Sequence, residues 1–269
     1  MKAEQDLVNG RSCRCLPVNL RQPVSVRVSV LLTTCVVLLA IGHGIVSVSG
    51  RLIAEGVLPQ SLYLLTMTGE MTIPAWFSTC LLWTAAMGLA AIAWRHWSLR
   101  LAGAVGWTFL AAVFMYLSID ENVALHEVHF KTIGRSIFTQ AQEHTRTWLT
   151  AGLSLAALVA AMSVPLLRRI PVPTACTMVL AGAVFLTGAA GFEWIGGVLE
   201  NQGAALRWYN LMVCLEESFE MLGVVIFLHA VTSYLAALLT ATGVLAVGPA
   251  DARRYADADA AALARRRVA

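Results

Sequence analysis

Blocks of about twenty apolar residues, separated by short polar or arginine-bearing stretches, set the rhythm of this chain, and about twenty helical residues span a hydrocarbon layer. Six such blocks run roughly Val28 to Val48, Ile73 to Trp94, Leu101 to Ile119, Trp148 to Leu167, Thr177 to Val198 and Leu211 to Leu239. They lack the alternating polarity of barrel strands, and in lipid the backbone must be satisfied within the segment, so each is predicted to be a helix. The predicted fold class is all-α, a polytopic membrane bundle of about six transmembrane helices. Residues 1–25 form an N-terminal arm, 26–240 the membrane domain and 241–269 a C-terminal tail. Between the first two blocks, the stretch from Arg51 to Thr72 is too short to cross and apolar enough to lie in the membrane interface.

The basic residues orient the bundle. Of nineteen Lys and Arg, fourteen precede the first block, fill the turn at Arg95 and Arg100, follow the fourth block at Arg168 and Arg169, or end the chain. Only Arg51, Lys131, Arg135, Arg146 and Arg207 lie on the other side, so both termini are predicted to be cytoplasmic. A hydrophobic content of 58% against 13% charged, with mean hydropathy +0.70, exceeds what one soluble core uses. The expected location is the cell membrane, whether an inner or a plasma membrane, and the expected partner is the lipid bilayer.

The net charge of +3 is a topology signal and not a nucleic-acid signal. The tail from Arg253 to Arg267 is suited to anionic headgroups. The first block is too long for a cleaved signal peptide and is expected to serve as an anchor. Cys13 and Cys15 are separated by one residue in a reducing compartment, which argues against a disulfide, and without a second pair they are a weak zinc signal.

Acidic residues at membrane depth carry the candidate chemistry, because an ionised carboxylate there needs a partner or a task. The third and fifth blocks run outward and the sixth runs inward, so their acid-bearing ends meet at the outer face. Asp120 and Glu127 are seven residues apart and share a helical face, with Glu121 and His126 pointing elsewhere. Glu193 and Glu200 repeat that spacing, and Glu216 and Glu220 are four apart with Glu217 beside them. Glu193 falls about 24 Å along its span and Glu220 roughly 14 Å in from the outer end of its own. His43 is expected at similar depth. The inner half is nearly devoid of polar groups apart from His229, for which packing or an interhelical hydrogen bond is expected.

Carboxylates and imidazoles on facing helices are the ligand types of di-iron and di-manganese bundles. The expected site is therefore an outward-facing centre for a divalent transition metal, Fe, Mn or Zn, with ligands drawn from Asp120, Glu127, Glu193, Glu216, Glu217, Glu220, His126 and His43. No Glu-x-x-His occurs here, so the likeness is one of ligand type. Ser118, Asp120 and His229 superficially resemble the zinc site of membrane hydrolases related to alkaline ceramidases. The paired histidines of that family's last helix are missing, and no family is assigned. If the centre is catalytic, the metal activates water or oxygen on a lipid or small apolar substrate. No nucleophile elbow, P-loop, dinucleotide fingerprint or His-Glu-x-x-His is present, so no reaction class follows. A proton- or cation-coupled transporter and a structural or partner-binding subunit are the alternatives.

Overall fold

The computed structural model describes residues 14, 16–69, 71–123, 142–203 and 205–244, with backbone alone at 142–149, 151 and 201. Seven α-helices make up this part of the chain, and no strand occurs among the described residues. They are α1 (Pro23–Ala54), α2 (Ile73–Ser98), α3 (Ala104–Val123), α4 (Gln142–Leu167), α5 (Val172–Leu186), α6 (Glu193–Asn201) and α7 (Leu206–Ala241). A π-helical turn at Thr187–Phe192 joins α5 to α6 without a break.

Helix starts follow local chemistry. Proline occupies the first turn of α1, α2 and α5, where its missing N–H costs nothing. The Thr72 hydroxyl caps α2 by accepting from the Ala75 N–H at 3.4 Å. At the other end of α2 the chain turns back through Arg100 at φ 53°, the sole non-glycine residue with positive φ among those described. Helices more often close at this place with glycine.

Five helical stretches are long and apolar enough to cross a membrane: Pro23–Ala54, Ile73–Ser98, Ala104–Val123, Val172–Glu200 and Leu206–Ala241. The fourth predicted block lies in α4, where the apolar part among the described residues, Gly152–Leu167, is shorter. The chain is an all-helical protein of membrane-spanning character.

The core sits around α7. Its most apolar stretch is 61% buried, against 11% for α1, because α1, α2, α5, the π turn and α6 all pack on it. Helix α3 packs mainly on α2, and α4 on α3. Two glycines set the closest approach. A Cβ on Gly188 would stand 2.6 Å from the Glu216 carbonyl oxygen, and one on Gly223 would stand 2.8 Å from the Phe185 backbone nitrogen, so α5 and the π turn meet α7 almost backbone to backbone. The segment after α1 does not merely lie on a surface. Its 3₁₀ turn Gln60–Leu65 packs on α1, a Cβ added at Gly42 would stand 3.5 Å from the Leu65 side chain, and Met67 is buried.

Candidate functional site

Helices α3 and α7 run antiparallel and share a seven-residue step. Along α3 the step selects Trp107, Phe114 and Glu121; along α7 it selects Tyr234, Phe227 and Glu220. Seven residues return a helix to nearly the same face about 10.5 Å further on. The aromatic partners meet in order as two rungs, with the glutamates next along the same faces as a third level. Trp107 and Tyr234 lie with ring centroids 4.9 Å apart, Phe114 and Phe227 stack at 4.3 Å, and the Glu121 charge acts on Glu220.

The glutamate rung belongs to a larger cluster. Glu216 and Glu217 are neighbours on α7 with Glu220 one turn further on, and all three are half-buried. The Glu193 carboxyl, on the first turn of α6, lies within hydrogen-bonding reach of Glu216. Glu121 acts on both Glu217 and Glu220. Five carboxyls from three helices thus share one region, and among the described residues the charged groups acting on Glu216, Glu217 and Glu220 are other carboxyls. Two carboxyls bond to each other only when one of them holds a proton, since an ionised carboxylate has no donor. The Tyr209 phenol lies in the field of Glu200, Glu193 and Glu216 at the α7 entrance.

The π turn and Gly188 explain how these side chains meet. Gly188 packs against the α7 backbone between Glu216 and Glu220, with 3.0 Å from a built Cβ to the Glu220 Cγ. Any larger residue there would push α6, and Glu193 with it, away from α7. Wide turns of this kind inside α-helices frequently mark functional sites.

Of the residues singled out in the sequence, Glu193, Glu216, Glu217 and Glu220 come together. Glu200 is exposed. Asp120 is half-buried with interactions of its own, while its neighbour Glu121 is the α3 acid that acts on the α7 cluster. His126 and Glu127 lie outside the described residues.

His43 is buried, but its ring is committed elsewhere. The Met67 N–H donates to Nδ1 at 2.9 Å, which leaves the proton on Nε2 to donate to the Asn210 carbonyl at 3.1 Å. The imidazole therefore ties α1 to the following segment and to α7, and neither nitrogen is left for a ligand. Among the described residues, no three His, Cys, Asp or Glu side chains are arranged to hold a metal ion.

The half of the bundle away from the carboxyls is less barren than its sequence suggests. His96 is buried, donates from Nδ1 to the Ala102 carbonyl at 3.1 Å and accepts the Tyr234 hydroxyl at Nε2, also at 3.1 Å. His229 binds the Leu20 carbonyl through Nε2 at 2.9 Å and meets the Ser29 hydroxyl at Nδ1 at 3.1 Å. The polar rung of His96 and Tyr234 and the carboxyl rung are separated by the two stacked phenylalanines.

Fold and cluster together define a multi-pass helical protein with a carboxyl cluster inside its bundle. Residues 28–249 match the family described as a domain of unknown function, DUF8692, and the chain belongs to that family. No curated protein and no solved structure matches the chain.

Proposed function

We propose that this chain is a proton-coupled cation transporter of the cell membrane, crossing six times with both termini in the cytoplasm and α4 as the fourth crossing. The observation that carries this reading is the approach of the Glu193 and Glu216 carboxyls, flanked by Glu121, Glu217 and Glu220. A site built of acids without a described base holds protons at rest, and a cation entering it displaces them from the same oxygens. Oxygen donors favour a hard cation, and because no three of the described side chains are arranged to hold a metal ion, the substrate would keep part of its water shell; of Fe, Mn and Zn this suits Mn²⁺. The Phe114–Phe227 rung separates this cluster from His96 and Tyr234, an arrangement that suits a site closed to one face.

The test is proton flux in proteoliposomes carrying an internal pH dye. Imposed gradients of Mn²⁺ or monovalent cations should drive counter-movement of protons, and Glu220→Gln should abolish it. Absence of flux with every cation would remove the transporter reading. Stoichiometric Fe, Mn or Zn on the purified protein, with no flux, would instead support a fixed metal centre completed by Asp120, Glu127 or His126. A reporter fused after Ala269 should be active inside and one placed near Gln140 active outside; an external C-terminus would refute the proposed orientation.

A further inference from the structure

A cleft of about 500 Å³ opens at the end of the bundle opposite the carboxyls, between the α2–α3 turn and the last turns of α4. Its walls include Val105, Phe109, Met162 and Leu166, and Arg100 and Arg169 line its outer end, beyond the helices. No Asp or Glu lines it among the described residues. From Arg169 to Met162 is about two helical turns, so the apolar wall runs about 10 Å into the bundle from the level of the arginines.

We propose that this cleft binds an anionic phospholipid, its phosphate between Arg100 and Arg169 and an acyl chain against the four apolar side chains. A guanidinium pairs with phosphate through two parallel N–H donors, and two of them lining one cleft supply charge that no described carboxylate in it offsets. Basic pockets between membrane helices hold lipid headgroups for this reason. The wall below the arginines selects a lipid over free phosphate, which has nothing to place there. Arg100 adds a second, independent sign. It holds a left-handed backbone position that glycine would occupy without strain, and residues in such positions concentrate at ligand-binding and switch sites.

The experiment compares the full chain in phosphatidylcholine bilayers with and without phosphatidylglycerol, reading melting temperature, and follows retained lipid in detergent by native mass spectrometry. Phosphatidylglycerol should raise the melting temperature of the wild type and remain bound. The Arg100→Gly, Arg169→Gln double variant should lose about fivefold in apparent phosphatidylglycerol affinity per arginine, about 25-fold together. Its melting temperature in phosphatidylcholine should not fall, since glycine suits the left-handed turn. A double variant that keeps the phosphatidylglycerol increment would overturn the proposal. So would equal protection by both lipids, or protection by inorganic phosphate in pure phosphatidylcholine.

Discussion

Phe114 and Phe227 stack with ring centroids 4.3 Å apart, and each lies seven residues from a glutamate of the cluster, Glu121 on α3 and Glu220 on α7. The same step in the other direction reaches Trp107 and Tyr234, whose hydroxyl bonds His96. Two polar rungs are thus held apart by one apolar rung, and the pair of rings is the barrier between them.

Removing a ring should open that barrier. Phe227→Ala is expected to lower stability by about 3 kcal/mol through the cavity it leaves. In proteoliposomes it should also admit a proton leak without any cation gradient. A variant that unfolds more readily yet stays proton-tight would show that the stack only packs the bundle.

The close approach at Gly188 predicts a graded glycine series. Gly188→Ala forces a methyl to 2.6 Å from the Glu216 carbonyl and should cost about 1–3 kcal/mol. Gly182→Ala meets nothing within 4 Å and should be near neutral. Thermal unfolding of both variants in one detergent checks the contrast; equal melting temperatures would mean that α5 and α7 part without cost.

At Glu193 the informative change is Gln. The amide keeps size and supplies an N–H to Glu216, so the protein should remain folded, but the group no longer exchanges a proton and flux should fall. Leucine, which bonds to nothing, should cost about 1–3 kcal/mol by leaving Glu216 without its partner. Wild-type flux in Glu193→Gln would exclude this acid from the exchange.

His43→Ala should destabilise by about 1–3 kcal/mol, because the buried Met67 N–H and the Asn210 carbonyl both lose a partner. It should leave the cation dependence of proton flux unchanged. A shifted cation preference would return His43 to the site.

The helical bundle was readable because lipid leaves the backbone few options, and a run of apolar residues near the right length declares itself. Convergence of Glu193, Glu216, Glu217 and Glu220 followed from helix direction alone. That Glu121 acts on the α7 acids was not legible, because a seven-residue spacing says that two residues share a face, not which neighbour that face meets. The missing signal was aromatic, since Trp107 and Phe114 lie on the Glu121 stripe and face Tyr234 and Phe227. His96 escaped notice because the second block was ended at Trp94, whereas α2 continues to Ser98. The commitment of His43 could not be read either, because its partners are backbone groups of Met67 and Asn210, and any residue but proline supplies the N–H.

The π turn at Thr187–Phe192 makes the cluster a matter of phase. A helix that accommodates an extra residue in one turn carries everything after it about 100° around its axis relative to an unbroken α-helix. Glu193 is the first residue to inherit that rotation. If the wide turn relaxed to ordinary α-helix, Glu193 and the rest of α6 would swing to a different azimuth and advance about 1.5 Å along the axis. Six residues of backbone can thereby act as a rotary joint, with one carboxyl as its pointer.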